Sequence, residues 1–230
     1  MNMIDSKRQD CPFYNECNHI DCDKFCLKKY KTDYYFNVGF IPIDKRIKFP
    51  LRIDNDGKDE VAFTRLVEIE GNISNFVNEG KNLYIYSCNC GNGKTSFAFR
   101  MLRSYINQQW LNKEMHPIVM FISVPRFLLE LKANISKRSE YIEDIENNIF
   151  DCDLVVWDDI GNKMGTEFEV THLLNLIDTR INLNKSNIYT SNLGKDDLHT
   201  TLGDRLYSRI YNYSECIELV GKDKRGIKND

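Results

Sequence analysis

Residues 83–96 constrain the fold of this chain more than any other stretch, because an apolar run, a glycine-rich loop and an amphipathic segment follow one another there. The run 83–86 predicts a buried strand, and the loop after it contains Gly91 and Gly93. Beyond the loop, apolar residues recur at the spacing of one helix face: Phe97, Ala98, Met101, Leu102, Tyr105 and Ile106. A loop with little side-chain bulk lets backbone N–H groups surround a phosphate, and the first turn of the helix adds its positive end. The stretch therefore predicts a phosphate-binding loop.

The loop also carries the side chains that a nucleoside triphosphate site requires. Lys94 can reach the β- and γ-phosphates, and Thr95 can place its hydroxyl on a Mg²⁺ ion. The residues predicted to surround the nucleotide are Cys88, Asn89, Cys90, Gly91, Asn92, Gly93, Lys94, Thr95 and Ser96. The usual pattern is G-x-x-x-x-G-K-[ST], and Cys88 stands at its first glycine. If that position needs a positive φ, the Cβ of Cys88 weakens nucleotide binding.

The charge and hydrophobicity of the sequence argue against a membrane-spanning protein and a secreted protein, and they limit how the chain could bind nucleic acid. The formal net charge of −3 over 230 residues gives no general attraction to nucleic acid, so a nucleic-acid contact requires a local basic patch. No run approaches the length of about 18 apolar residues that spans a bilayer. Charged residues occupy the place of a signal-peptide core, at Asp5, Lys7, Arg8 and Asp10. We therefore expect a cytoplasmic protein with no membrane contact.

Four cysteines crowd into residues 11–26: Cys11, Cys17, Cys22 and Cys26. In a reducing compartment such a cluster is more often a metal site than a disulfide framework. Four thiolates in a short segment can surround one Zn²⁺, and a structural zinc can fold a segment that is too small for its own core. The spacing is not that of two CxxC knuckles, so an iron–sulfur cluster and free thiols stay open as alternatives, as does His19 in place of one thiolate.

The next segment, residues 28–36, is both basic and aromatic. Such a mixture suits stacking on single-stranded bases, and it equally suits packing of a small N-terminal module against a larger domain. Residues 37–58 contain Pro42, Pro50 and Gly57 without strong periodicity and predict a linker. The expected organisation is a cysteine-rich module at residues 1–36, a linker at 37–58 and a nucleotide-binding domain at 59–230.

From residue 61 onwards, predicted helices and strands alternate. Further strands are predicted at 118–122, 153–161, 187–192 and 216–220, and a charged surface helix at 134–148. This order predicts an α/β fold with a mostly parallel sheet flanked by helices. In such a sheet, ligands bind at the carboxyl ends of the strands.

Polar residues at two of these strand ends extend the predicted nucleotide site. Asp158 and Asp159 follow a buried apolar run; Asp158 would hold the Mg²⁺ shell, and Asp159 would orient or deprotonate the attacking water. Asn192, at the end of a later strand, can hydrogen-bond the γ-phosphate or that water. Arg205 and Arg209, at i and i+4 of a predicted helix, either lie in solvent or stabilise charge on a transferring phosphoryl group.

Together these motifs resemble the AAA+ ATPases of the DnaC/DnaI helicase-loader family over residues 61–226, which is most of the chain. The most specific parts are Asp-Asp-Ile-Gly at 158–161, Tyr-Thr-Ser-Asn-Leu at 189–193, Leu-Gly-Asp-Arg at 202–205 and Gly-Lys-Asp-Lys-Arg at 221–225. The resemblance implies an AAA+ P-loop NTPase fold that binds ATP and Mg²⁺.

The resemblance also implies roles for individual residues of the nucleotide site. Residues 91–95 match the Walker A loop, Asp158 and Asp159 match the Walker B pair, and Asn192 matches sensor 1. Asp159 replaces the glutamate of many AAA+ enzymes and reaches one methylene less far. Together with Cys88, this departure implies ATP hydrolysis that is slow and stimulated by partners.

The arginines acquire roles in the same way. Arg209 is the better match to the family's arginine finger, with Arg205 beside it in the same motif, and Arg225 matches sensor 2. An arginine finger acts on the nucleotide of the neighbouring subunit. The resemblance therefore implies self-assembly through the ATP site.

Two further contacts are implied by the family. Segments 125–148 and the loop after residue 161 would face single-stranded DNA, at Lys132, Lys137, Arg138, Lys163, Thr166 and Phe168. Each of these is equally well an ordinary surface residue. The cysteine-rich N-terminal segment would contact a replicative DnaB-type helicase. The implied function is ATP-dependent loading of that helicase onto single-stranded DNA during replication initiation.

Two other functions stay open. Transposition helper ATPases of the IstB type share nearly all of these motifs and pair with a transposase, although their N-terminal region is usually helical rather than cysteine-rich. A nucleotide-gated adaptor or inhibitor would occupy the helicase without hydrolysing ATP. Cys88 and Asp159 are the residues that favour this second alternative.

Overall fold

A computed structural model describes residues 26–46, 57–109, 111, 115–133, 139–162 and 166–222. The strands are β1 (Asn82–Tyr86), β2 (Val119–Ser123), β3 (Leu154–Asp158), β4 (Ser186–Ser191) and β5 (Ser214–Glu218). The helices are α1 (Leu27–Val38), α2 (Glu60–Gly71), α3 (Ile73–Asn78), α4 (Lys94–Gln108), α5 (Val124–Ala133), α6 (Glu140–Asn148), α7 (Glu167–Asn182) and α8 (Lys195–Tyr207). A 3₁₀ turn lies at Ile43–Lys45 and a π-helical turn at Ser208–Asn212. The five strands all lie close to their predicted positions.

The order of the strands positions the functional residues. It is β2-β3-β4-β1-β5, and every neighbouring pair is parallel. β4 therefore lies between β1, which leads into the glycine loop, and β3, which ends at Asp158. All carboxyl ends lie at one edge of the sheet, so the residues that follow them meet there. The prediction of an α/β fold with a parallel sheet is confirmed.

Both faces of the sheet are buried, because consecutive side chains of a strand point to opposite sides. Leu83 and Ile85 of β1 belong to one apolar cluster, and Tyr84 between them belongs to the other. Helices α1 to α4 contribute to the first cluster, and α5 to α8 contribute to the second. The result is a sheet between two layers of helices. No helix within the described ranges is long and apolar enough to cross a bilayer.

Helix α1 contains the basic and aromatic segment, and two of its aromatic residues are buried, whereas Tyr30 is exposed. Tyr35 is 0% and Phe36 1% exposed, and both join the apolar cluster that contains Leu83 and Phe97. For these two residues the packing alternative is therefore correct, since a fully buried ring cannot stack on a base. The predicted module boundary at residue 36 falls inside α1. The division of the chain into module, linker and domain stays a prediction.

Arg180 of α7 is a fully buried cation at the amino ends of β3 and β4. Its guanidinium donates four hydrogen bonds, to Asn187 Oδ1 (2.8 Å) and to the carbonyl oxygens of Ile149, Cys152 (2.9 Å) and Ser186 (2.6 Å). Burial lowers the pKa of Arg180 to about 10, so the side chain remains charged at neutral pH. The bonds tie α7 to the segment before β3 and to the start of β4.

We expect Arg180→Leu to lower the free energy of unfolding by about 3 kcal/mol or more, because it leaves several buried acceptors without a donor. The matched control is Arg126→Leu, at a side chain that is 62% exposed and lies over the ring of Tyr141. The control should cost about 1 kcal/mol or less. Urea unfolding followed by circular dichroism measures both variants, and equal losses would contradict the structural role of Arg180.

Candidate nucleotide-binding site

The glycine loop and the acid pair lie side by side at the carboxyl edge of the sheet. β1 ends at Tyr86, and the N–H of Ser87 donates to the carbonyl oxygen of Ser191 at the end of β4 (3.2 Å). On the other side of β4, the N–H of Ile160 donates to the carbonyl oxygen of Thr190 (2.9 Å). β4 thus fixes the spacing between the loop after β1 and the carboxylates after β3.

Two glycines give the loop its backbone path. Gly91 has a φ of 74° and Gly93 a φ of 103°, in the left-handed region that favours glycine. A Cβ added to Gly93 would meet no heavy atom within 4 Å, so the backbone angle, rather than a lack of space, requires glycine. Helix α4 begins directly afterwards at Lys94. The unpaired N–H groups of its first turn therefore lie at the loop, where a phosphate would bind.

Cys88 occupies the first glycine position of the motif without backbone strain. It is not among the described residues with positive φ, so its Cβ is compatible with the local backbone. Its side chain is exposed. The backbone penalty considered for this residue therefore does not arise.

Side-chain amides and one hydroxyl hold the loop in shape. Ser87 Oγ accepts from the N–H of Asn89 (3.0 Å) and from Nδ2 of the buried Asn92. Asn92 Nδ2 also donates to the carbonyl oxygen of Leu219 (3.0 Å). Asn89 Nδ2 donates to the carbonyl oxygen of Val220 (3.1 Å). The loop is therefore fastened to the segment that follows β5.

Asp59, just before the start of α2, also binds the segment that follows β5. Its carboxylate accepts from the N–H groups of Val220 (2.7 Å) and Gly221 (2.9 Å), and the residue is buried. Asp59 directly precedes α2. The contact joins the start of the predicted nucleotide-binding domain to the chain that leads toward Arg225, which lies outside the described residues.

Lys94 is buried beneath the loop, with 5% of its surface exposed. Its Nζ donates to the carbonyl oxygen of Asn89 (3.1 Å) and to Oδ1 of Asn92 (3.3 Å). Both acceptors are neutral and belong to the loop itself. Phosphate oxygens form stronger, charge-assisted bonds with an ammonium group, so a bound phosphate can compete with these acceptors.

Asp158 joins three elements through one oxygen. Its Oδ1 accepts from Oγ1 of Thr95 in α4 (2.8 Å) and from Oγ1 of Thr190 in β4 (2.6 Å). The residue is 8% exposed, and burial raises the pKa of its carboxyl. The two hydroxyls and the ammonium of Lys94 oppose that rise, whereas the charge of Asp159 adds to it. A cation bound here would stabilise the ionised carboxylate.

The chemistry of these groups fits Mg²⁺. The ion prefers hard oxygen donors and is usually held by one or two protein groups together with phosphate oxygens and water. Thr95 Oγ1 and Asp158 Oδ1 are oxygens of this kind and already lie next to each other. The residues present are therefore suited to one Mg²⁺ that also contacts a phosphate.

Asp159 and Asn192 present side chains at the same edge. Asp159 has a φ of 57°, which is uncommon outside glycine and is often found at functional sites. Its N–H donates to Thr190 Oγ1 (3.0 Å), which holds this conformation. Within the described part of the chain, the side chains of Asp159 and Asn192 form no hydrogen bond, and both are partly exposed. They are therefore accessible to a nucleotide or to water.

Two residues of the site, Ser87 and Thr190, were not singled out by the sequence patterns. Thr190 contacts both members of the acid pair, and Ser87 and Asn92 shape the loop. The signal for Thr190 was its place in the Tyr-Thr-Ser-Asn-Leu motif, two residues before Asn192. Ser87 had no such signal, because it lies before the phosphate-loop pattern begins.

The family model described as IstB-like ATP binding protein matches residues 60–225, which include every described residue of this site after Asp59. The chain belongs to the IstB-like ATP-binding family. No match is found among curated proteins.

Solved structures share the fold of this IstB-like domain. The structure of the DnaC helicase loader is 21% identical, with a TM-score of 0.58, and the match covers 80% of this chain and 98% of that one. The structure of DnaI is 20% identical, with a TM-score of 0.59 and coverages of 81% and 95%. AMPPCP-bound DnaA from Aquifex aeolicus is 21% identical, with a TM-score of 0.55; the match covers 74% of this chain and 48%, about half, of that one. These likenesses show that the chain shares its fold with these proteins.

The two arginines predicted to act on phosphate lie together in the IstB-like domain, beyond a kink at Gly203 (φ 72°). Arg205 and Arg209 line one hollow of about 300 Å³ together with Asp178 of α7. Arg209 forms an ion pair with Asp178, and its guanidinium lies 5.4 Å from the ring centroid of Tyr213. Arg205 is exposed and forms no hydrogen bond or ion pair with any residue that the structure describes. Arg205 is therefore the more accessible of the two.

Three of the residues predicted to contact DNA are described: Lys132, Thr166 and Phe168. Thr166 caps α7, where its Oγ1 accepts from the N–H of Glu169 (3.3 Å) and Glu169 Oε2 accepts from the N–H of Thr166 (2.9 Å). Lys132 Nζ lies 2.8 Å from Oε1 of the same buried glutamate, whereas Phe168 is exposed. Contact with DNA stays a prediction, and Lys137, Arg138 and Lys163 lie outside the described residues.

The predicted zinc site also stays a prediction. Cys11, Cys17 and Cys22 lie outside the described residues, as does His19, and Cys26 directly precedes α1. Among the residues that are described, no three or more His, Cys, Asp or Glu side chains are grouped so as to hold a metal ion.

We expect Asp158→Asn to stabilise the protein when nucleotide and Mg²⁺ are absent. The amide oxygen can accept from Thr95 and Thr190 as the carboxylate does, and it carries no charge for burial to penalise. Because burial raises the folded-state pKa of Asp158 above its unfolded value, the ionised carboxylate costs stability at pH values above that pKa. The gain should therefore be largest at alkaline pH and should shrink as the pH falls.

Urea midpoints measured in EDTA across a pH series test this expectation. Thr190→Val, which removes one donor to the same oxygen, should instead lower the midpoint. An Asp158→Asn protein that is less stable than the unaltered chain at every pH would contradict it.

Proposed function

We propose that this protein is an ATPase that loads a replicative helicase onto single-stranded DNA. The observation that carries the proposal is the joint placement of Lys94, Thr95 and Asp158 at the carboxyl edge of an IstB-like ATP-binding domain. The likeness of the fold to DnaC and DnaI, over nearly the whole of those chains, supports helicase loading. The helicase and the single-stranded DNA are proposed partners.

In the proposed site, each described residue has a defined task. The loop N–H groups would surround the β-phosphate, and Lys94 would exchange its loop acceptors for phosphate oxygens. Thr95 and Asp158 would hold Mg²⁺, which when bound offsets charge on the phosphate oxygens. Asp159 would orient or deprotonate the attacking water, and Asn192 would hydrogen-bond that water or the γ-phosphate.

Nucleotide state would act as a switch on partner binding. We propose that ATP favours self-assembly and engagement of single-stranded DNA, and that hydrolysis favours release. Slow hydrolysis suits such a switch, and the short reach of Asp159 is consistent with it. The cysteine-rich segment would hold zinc through Cys11, Cys17, Cys22 and Cys26 and contact the helicase.

We expect ATP turnover to rise when single-stranded DNA and the partner helicase are added together. Asp158→Ala and Lys94→Ala should each lower that turnover by about 100-fold or more, because they remove groups that act on developing phosphate charge. Phosphate release by the purified full chain measures this. If both variants load helicase as well as the unaltered protein does, the proposal is wrong.

A second candidate function is that of a transposition helper. The family match to IstB-like ATP binding proteins favours it, since such a helper would use the same nucleotide site with a transposase as partner. Pull-down with each class of partner separates the two functions. ATP binding without turnover, even with helicase and DNA present, would instead indicate a non-hydrolysing adaptor.

We also propose that Arg205, rather than Arg209, reaches the nucleotide of a neighbouring subunit. Arg205 is exposed without a described partner, whereas Arg209 is held by Asp178 and Tyr213. Arg205→Ala should lower turnover in the assembly by about 100-fold or more while ATP binding is retained. Arg209→Ala should mainly lower stability, by about 1 kcal/mol.

A mixing experiment gives this assignment a sharper test. Lys94→Ala protomers cannot hold ATP but keep Arg205, so adding them to Arg205→Ala protomers should restore turnover that neither variant shows alone. Loss of turnover in Arg209→Ala, with Arg205→Ala unaffected, would assign the role to Arg209 instead.

A further inference from the structure

We propose that Cys88 and Cys90 form a thiol-modification site that reacts with a low-molecular-weight disulfide. The resulting adduct prevents nucleotide from binding at the phosphate loop. Both thiols are exposed, and both belong to the proposed phosphate loop, within the residues matched by the IstB-like ATP-binding family model. The inference rests on the nucleotide-binding part of the proposed function. It adds a means of control to that site.

The described cysteines differ sharply in their chemical surroundings. Cys152 is buried, and burial raises the pKa of its thiol to about 12. Burial likewise raises the pKa of the half-buried Cys216 to about 11. Because the thiolate is the nucleophile in disulfide exchange, these two cysteines are poor reactants at neutral pH. Cys88 and Cys90, in contrast, are both open to solvent.

Because of the position of the two thiols, any adduct would lie next to the phosphate loop and the loop after β4. They flank Asn89, whose carbonyl oxygen accepts from Lys94 and whose amide is fastened to Val220. Cys88 Sγ lies 4.0 Å from the point that a Cβ on Gly194 would occupy. Gly194 follows Asn192 by two residues, so a group on Cys88 would enter the space between the phosphate loop and the loop after β4.

The proposed reaction is a balanced thiol–disulfide exchange. The cysteine thiolate attacks one sulfur of glutathione disulfide, the sulfur–sulfur bond breaks, and the second glutathione leaves as a thiolate. The cysteine sulfur is oxidised to a mixed disulfide, and the departing glutathione is reduced. An excess of a thiol reductant reverses the exchange.

The product is unfavourable for nucleotide binding for two physical reasons. The attached tripeptide occupies space beside a loop that must close around phosphate. Its two carboxylates and single ammonium also give the adduct a net negative charge, which repels phosphate groups at short range. A modified loop should therefore release ATP, and a reductant should restore binding.

The test measures binding of a fluorescent ATP analogue to the full chain before and after treatment with glutathione disulfide. Peptide mapping by mass spectrometry locates the adducts. We expect modification at Cys88, Cys90 or both to weaken binding by at least about 10-fold, with recovery in dithiothreitol. ATP with Mg²⁺ added first should slow modification of these two cysteines.

The control carries Cys88→Ser and Cys90→Ser and keeps every other cysteine, including the N-terminal cluster. Its affinity for the analogue is compared with its own affinity before treatment and should not respond to the disulfide. A second control pairs Cys90→Ser with Cys88→Gly, which restores the usual first glycine of the motif, in case the serine variant fails to fold.

The outcomes are distinguishable. Mapped adducts at Cys88 or Cys90 with unchanged analogue binding would overturn the inference, as would adducts confined to other cysteines. An equal loss of binding in the control would show that other cysteines are responsible and would overturn it too. Failure of the untreated, reduced protein to bind the analogue would overturn the proposed function, and the inference with it.

Discussion

One carboxylate oxygen connects the parts of the candidate nucleotide site. Asp158 Oδ1 accepts hydrogen bonds from Thr95 in the first turn of α4 and from Thr190 in the central strand β4. The phosphate loop, the acid pair and the strand between them therefore depend on one shared contact. The carboxylate is also buried, which costs free energy while it is charged. A bound cation would offset that cost, so the carboxylate that lowers the stability of the empty protein is suited to hold a cation.

The two edges of the sheet have opposite characters. At the amino edge, Arg180 donates buried hydrogen bonds to carbonyl oxygens before β3 and at the start of β4, and its role is structural. At the carboxyl edge, the chain emerges in loops whose polar groups are only partly satisfied, with Asp159 in a left-handed conformation. Binding residues are commonly placed on loops that a rigid scaffold positions. Here the buried parallel sheet is that scaffold.

The family assignment and the site geometry support one another at different levels. The match over residues 60–225 identifies an IstB-like ATP-binding domain, and this domain shares its fold with the structures of DnaC and DnaI. The individual residues then give the domain its own character: cysteine at the first glycine position, aspartate as the second acid, and a phosphate loop fastened to the segment after β5. Under the proposed function, these features would affect how nucleotide enters the site and how fast it is hydrolysed.

The sequence by itself determined the strands, the phosphate loop and the acid pair, because a two-residue period, a glycine pattern and a strand that ends in carboxylates are local features. Only the tertiary structure decided which distant groups meet. Thr190 contacts an acid 32 residues away, and Asn92 reaches the carbonyl of a residue 127 positions away. The tertiary structure also placed Tyr35 in the core and paired Arg209 with Asp178, whereas Arg205 remained exposed. Such contacts depend on strand order and register, which bring remote residues within hydrogen-bonding distance and which no local pattern encodes.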